Sequence, residues 1–292
     1  MKTILVTTDF SLGANNAARY AIQLAKGLKA GITLCNAFKV PAEAPMAAQI
    51  AWPLEDYDSL KSETLEELRL LAEVLTEDEL SNPDAHGYHP TIDYTAAVGT
   101  VSDVARNLVE NRKLSMVVMG MSGAGMISRM VLGSNSHDMI EKANFPVFLI
   151  PPAARFNGIH KIAFATDLST GDMEVIHSLA GLAYPFNAEI LLAHVTDEKY
   201  DDPKQQHKVD SFLNDITCKM DYPRIYYRHI KSMDVEHGLD WLAEHGQIDI
   251  LAMMHRRHNI FEQIFKGSHT QHMARRTELP LLVFPVGYHS VI

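Results

Sequence analysis

GMSGAGMISRMVLGS, residues Gly120–Ser134, follows an apolar run at Met116–Met119 and precedes a segment of helical spacing at Asn135–Ala143. A strand, a glycine-rich loop and a helix start, in that order, make a layout that holds phosphate. Glycine lets the backbone take φ > 0 and approach an anion closely. The first amides of the following helix are unpaired, and its dipole adds roughly half a positive charge there. The stretch lacks a Gly-Lys-Ser/Thr ending and is not a Walker A loop.

Outward from this loop, apolar β-branched runs alternate with helical patterns. Lys2–Thr8 reads as a strand, Ala14–Lys29 as a helix with Ser11 as its N-cap, and Ile32–Phe38 as a second strand. Lys39–Pro53 reads as a proline-bearing loop and Leu54–Leu80 as a charged amphipathic helix. Thr91–Val98, Leu114–Gly120 and Pro146–Ile150 complete five strands, with a helix at Val101–Arg112. Such alternation predicts a parallel sheet with helices on both faces.

The pattern then restarts. KIAFATDLS at Lys161–Ser169 matches KTILVTTDFS at Lys2–Ser11, with Thr8, Asp9 and Ser11 matching Thr166, Asp167 and Ser169 at an offset of 158. Asn36-Ala37 matches His194-Val195. Further on, at an offset of 134, Gly133-Ser134 matches Gly267-Ser268 and Pro146 matches Pro280. The smaller offset places the shortening chiefly in the loop and helix after the second strand. The chain is a tandem duplication, with expected domains at 1–151 and 159–287 and a proline-led linker from Pro151 to Gly158.

Composition bounds the function. A chain of 292 residues suits two domains of about 150 residues. The net charge is −10, and both halves are acidic, which argues against nucleic acid as a partner. No run is long and apolar enough for a transmembrane segment, and Asp9 interrupts the N-terminus before a signal-peptide core could form. Cys35 and Cys218 lie in different halves and make no disulfide framework. The chain reads as cytoplasmic, with both thiols free.

In an open parallel sheet, ligands sit beyond the carboxyl ends of strands where chain order reverses. There the ends of strand one (Thr7, Thr8, Asp9), strand two (Ala37) and strand four (Met119, Gly120) should converge. Asp9 can accept from a ribose hydroxyl or an adenine amine while the glycine loop holds phosphates, which describes a mononucleotide site. The competing reading makes Asp9 the cap of the first helix.

The spacing Gly120-x2-Gly123-x9-Gly133-Ser134 resembles the G-2x-G-9x-G-S/T signature of the universal stress protein family. The strand ending Thr8-Asp9-Phe-Ser11 and the terminal Pro146-Val-Phe-Leu-Ile are similar to that family's first and last strands. The likeness covers nearly the whole chain as two copies, the family's tandem form. It implies an α/β fold of two tandem Rossmann-like domains (adenine nucleotide alpha hydrolase-like). Each would be a five-stranded parallel sheet of order 3-2-1-4-5 with helices on both faces, the two fifth strands pairing within one chain or in a homodimer. It also implies ATP or another adenine nucleotide, with Mg²⁺, as ligand in stress response. By position, Thr8, Asp9 and Ala37 would meet adenine and ribose, and Gly120, Gly123, Gly133, Ser134 and Asn135 the phosphates and ribose, with Met119 at the end of strand four also a nucleotide-binding candidate.

The second copy departs from the signature. Aligned on Gly267-Ser268, its first two glycines are Met254 and Arg257. A side chain at a φ > 0 position costs roughly 1–2 kcal/mol and fills space a phosphate needs. The expectation is therefore one ATP site, in the first copy. The rival reading is a binding or assembly module whose ligand is not ATP, with Arg256, Arg257 and histidines of the second copy taking a metal, an anion or a lipid. Twelve of fifteen histidines lie at or after His160, and His255, His258, His269 and His272 are the metal candidates. The chain shows no Gly-x-Ser-x-Gly elbow, His-Glu-x-x-His motif or Walker lysine. No efficient enzyme is expected, at most slow ATP hydrolysis.

Overall fold

Ile4, Leu5 and Val6 have no exposed surface, as a strand covered on both faces requires. They form β1 (Thr3–Thr7) in the computed structural model, which describes residues 2–39, 53–81, 87–112, 114–121, 133–197, 203–256 and 278–289. The chain divides into two compact units, Met1–Gly120 and Met121–Ile292.

In the first unit, β1 pairs in parallel with β2 (Gly31–Phe38) on one side and β4 (Met116–Gly120) on the other, and β2 pairs with β3 (Ile92–Val98). The strand order is β3-β2-β1-β4. Three helices accompany them: α1 (Leu12–Leu28), α2 (Pro53–Leu80) and α3 (Val101–Arg112). Helix α1 buries Ala14, Ala17, Ala18, Ala21, Leu24 and Ala25, a stripe at i, i+3, i+4 and i+7 whose small residues allow close approach to the strands. Ser11 caps it, its Oγ accepting from the Ala14 N–H at 3.2 Å. Lys29 ends it in the left-handed region at φ 52°, and the Ala30 N–H donates back to the Ala25 carbonyl.

The second unit holds α4 (Ser134–Lys142), β5 (Val147–Ile150) and the second copy. That copy runs β6 (Lys161–Ala165), α5 (Asp172–Ala183), β7 (Glu189–Asp197), α6 (Pro203–Lys219), β8 (Ile225–Ser232), α7 (Val235–His245), β9 (Ile250–Met254) and β10 (Leu281–Phe284). Its strands lie in the order β8-β7-β6-β9-β10, all parallel, which is the expected 3-2-1-4-5. Beyond β10 comes β5, antiparallel, with Val283 opposite Val147 and Leu281 opposite Leu149. The fifth strands of the two copies therefore pair within one chain. All four residues of each are buried, and closing such apolar surface contributes about 1.5–3 kcal/mol per large side chain. This pairing is why β5 falls with the second unit.

The repeat extends to individual backbone bonds. Asn187 ends the helical segment after α5 at φ 52°, and Ala188 donates to Ala183, repeating Lys29 and the Ala30–Ala25 bond at the offset of 158. The shortening of the second copy falls between its second and third strands, where α6 replaces the longer α2.

Candidate functional site

Both copies end their first strand in the same turn. The Thr8 hydroxyl accepts from the Phe10 N–H at 3.0 Å, and the Asp9 carboxylate accepts from the Ser11 N–H at 3.1 Å. In the second copy Thr166 accepts from Leu168 at 2.9 Å and Asp167 from Ser169 at 3.1 Å. Phe10 and Leu168 are both at φ 61°, in the left-handed region that costs a residue with a side chain about 1–3 kcal/mol. The two flanking side-chain bonds hold that turn. Nothing in Phe or Leu signals a positive φ, so the sequence gives no sign of it.

The helix-cap alternative for Asp9 does not hold, because Ser11 is the cap. Asp9 is exposed at the strand end, next to the buried Thr8. A second pair of equivalent bonds ties the strand ends together. Asn36 Nδ2 donates to the Thr8 carbonyl at 2.9 Å, and His194 Nδ1 donates to the Thr166 carbonyl at 2.9 Å. Ala37, one residue on, is half-buried and pairs with Ala97. Met119 is buried opposite Thr7, so it and Thr7 end adjacent strands at one level. The first unit thus gathers Thr8, Asp9, Ala37, Met119 and Gly120 at the carboxyl ends of β1, β2 and β4.

Gly120 has a packing reason of its own. A Cβ there would lie 2.6 Å from the Gly13 carbonyl oxygen and 2.9 Å from the Ala14 nitrogen, so β4 ends against the backbone of the α1 N-terminus. In the second copy the same position is Met254. There α5 begins at Asp172, which aligns with Ala14, two residues later than α1 begins. The Met254 side chain reaches over Gly171, its Cε 3.6 Å from where a Cβ would stand.

Gly133, Ser134 and Asn135 of the signature belong to the second unit. Gly133 is the N-cap of α4 with no side-chain cap bond, followed by Ser134 and Asn135 in the first turn. Gly123, like Gly125 and Arg129, lies outside the described residues.

The second copy is occupied differently. The Arg256 guanidinium, just past β9, bonds three side chains of the turn and helix start: Asp167, Ser169 and Asp172, the last at 2.6 Å. Asp172 also accepts from the Thr166 hydroxyl at 2.5 Å. Its side chain is 1% exposed, and burial pushes its carboxyl up, opposed by the hydrogen bonds from Thr166 and Ser169. Burial also pulls the Arg256 guanidinium down. Lys208 of α6 donates to the Asp167 carbonyl at 2.6 Å. Arg256 is therefore spent on carboxylates rather than open to an anion; Arg257 lies outside the described residues. Asp172 escaped the reading of the sequence, although an acid aligned with Ala14 and a base aligned with Ser122 were both visible there.

His194 is buried, and that burial lowers its pKa, opposed by the hydrogen bond to the Thr166 carbonyl and aided to a smaller extent by His229 and Lys208. It is neutral at pH 7 with Nδ1 as donor, and its ring stacks on His229 at 5.7 Å. Of the metal candidates, His255 meets Glu141 of α4 at 3.1 Å, while His258, His269 and His272 lie outside the described residues. Among the described residues no three His, Cys, Asp or Glu side chains are grouped to hold a metal ion. Cys35 is buried and Cys218 exposed, both free, and no described helix is long and apolar enough to cross a membrane.

Comparison with known proteins agrees with this architecture. A family model described as the universal stress protein family matches residues 1–151 and 158–285. A universal stress protein of Methanocaldococcus jannaschii is 26% identical over 149 residues, 51% of this chain and 81% of that protein. The crystal structure of a universal stress protein from Archaeoglobus fulgidus superposes with a TM-score of 0.67 at 16% identity, covering 98% of each chain. A functionally unknown protein from Pseudomonas aeruginosa follows at a TM-score of 0.55 and 12% identity, covering 98% of this chain and 92% of that one. With both halves matched by the family model and the doubled fold shared end to end, the chain belongs to the universal stress protein family, in its tandem two-domain form.

Proposed function

We propose that the first copy, taken as residues 1–151, binds ATP with Mg²⁺ as a regulatory ligand in a cytoplasmic stress response, and that the second, 159–287, does not. The observation that carries this reading is the contrast between two otherwise matching turns. Asp9 stands exposed beside Ala37, Met119 and Gly120, whereas Asp167 is tied to Arg256. A carboxylate at a strand end is suited to accept from ribose hydroxyls or an adenine amine. The phosphate part of the proposal, Gly123, Gly133, Ser134 and Asn135, rests on the sequence signature. A helix start with no side-chain acceptor at its cap, as at Gly133, suits an anion.

The role proposed is regulation rather than turnover, since the sequence carries no Walker lysine and no evident base to activate water. ATP at about 100 times its Kd would favour the bound form by about 2.7 kcal/mol. That is enough to set a conformational or assembly equilibrium, including that of a homodimer. Mass spectrometry of the freshly purified chain tests this. Co-purified adenine nucleotide in substoichiometric to equimolar amount is expected. Stoichiometric zinc or a lipid in its place would favour the rival reading of a non-ATP binding module.

A further inference from the structure

The ligand end of the second copy is already filled by a side chain. Arg256 contacts Asp167, Ser169 and Asp172, and these align with Asp9, Ser11 and Ala14 of the first copy, Arg256 itself aligning with Ser122. The shared pair, a carboxylate and a hydroxyl on a matching turn, is unchanged between copies. Among the differences are one acid at the helix start and one guanidinium after the strand. Neither is tolerable alone. Asp172 without Arg256 would be a carboxylate with 1% of its side chain exposed and its ion pair gone. Arg256 without Asp172 would lose its most deeply buried partner. Together they neutralise each other, and the planar fork of Arg spans both acids as a lysine could not. Lys208, bonded to the Asp167 carbonyl, adds a tie from α6 to the same turn.

We infer that Arg256 is a built-in occupant of the second copy's ligand position, standing against Asp167 where a nucleoside would stand against Asp9, with Asp172 as its dedicated counter-charge. The term ligand position rests on the reading of Asp9 given above; the charge lock does not. The second copy is thereby closed from within. A nucleotide would have to expel Arg256 and leave Asp172 unpaired to enter.

The test uses the full chain and the variants D172A, R256S and D172A/R256S, which restore the first copy's residues. Urea unfolding is measured for each, with adenosine titration by calorimetry of the wild type and the double variant. Adenosine is used because the second copy lacks two of the glycines that would hold a phosphate. Each single change is expected to weaken folding of the second unit, and the double change to cost less than the two combined. The expected coupling is about tenfold or more in the folding equilibrium constant. A double variant that folds where the singles do not is the same result in stronger form. Effects that simply add, or a double variant that does not fold, would overturn the lock. The double variant should also gain one adenosine equivalent over the wild type, whatever number the wild type binds. Coupling with no gained equivalent would make Arg256 an ordinary ion pair and overturn its assignment as an occupant. The wild type's own count tests the first copy separately.

Discussion

Replacing Gly120 with alanine is the sharpest perturbation of the proposed site's frame. The new Cβ would stand 2.6 Å from the Gly13 oxygen, 2.7 Å from the Gly13 carbon and 2.9 Å from the Ala14 nitrogen, where ordinary contact begins at 3.4 Å. All three atoms are backbone, so no rotamer change relieves the overlap; β4 or the α1 N-terminus must move. Overpacking of this kind costs about 1–3 kcal/mol, and a clash with backbone belongs in the upper half of that range. With about 1–3 kcal/mol per molar urea as the usual slope, the midpoint of the first unit should fall by about 1 M. The assay is urea unfolding of the full chain followed by circular dichroism. Two compact units need not unfold together, so the fit must allow separate transitions. An unchanged midpoint would refute the close approach of β4 to α1. An unchanged midpoint with lost Mg-ATP binding would give Gly120 a ligand role only.

Four further outcomes follow from particular contacts. Ser11→Ala should cost about 1 kcal/mol by removing the cap of α1, read from the same unfolding curves. Because burial lowers the folded pKa of His194, the unfolded chain binds that proton more readily. Stability should therefore be full above pH ~6.5 and decline as pH falls toward the folded value. His194→Asn, which copies Asn36 and can keep the bond to the Thr166 carbonyl, should flatten that part of a stability–pH series; an unaltered slope would assign it to other groups. Glu79→Ala should cost about 3 kcal/mol, since Lys26, 2.6 Å away and 14% exposed in its side chain, loses its partner, whereas K26M/E79L should cost much less. Burial pushes the Cys35 thiol up to about 12, so a thiol reagent at pH 7.5 should count one reactive cysteine per native chain, Cys218, and two after unfolding.

How much of this was legible beforehand follows from the physics of each feature. Apolar runs such as Ile4–Val6 and the alanine stripe of α1 report burial directly, so strand and helix positions could be read residue by residue. The offset of 158 between Thr8-Asp9 and Thr166-Asp167 carried further than its few identities suggest. It holds at Lys29 and Asn187, and at Asn36 and His194, where the residue types differ and only the backbone task is shared. The positive φ of Phe10 and Leu168 was not legible, because side chains of that kind carry no preference for it; the turn is held by Thr8 and Asp9 instead. The Arg256 cluster was not legible for another reason. It joins residues 84 apart, and only the register of β9 beside β6 brings them together. Gly120 was read for its backbone freedom alone, while its contact with Gly13 needed the α1 N-terminus in place.

The central claim is one nucleotide site in a doubled chain. Calorimetric titration of the nucleotide-free full chain with Mg-ATP tests it most directly. One equivalent per chain is predicted, abolished by Gly123→Val and unaffected by Arg257→Ala. Two equal sites, or no binding at all, would contradict it.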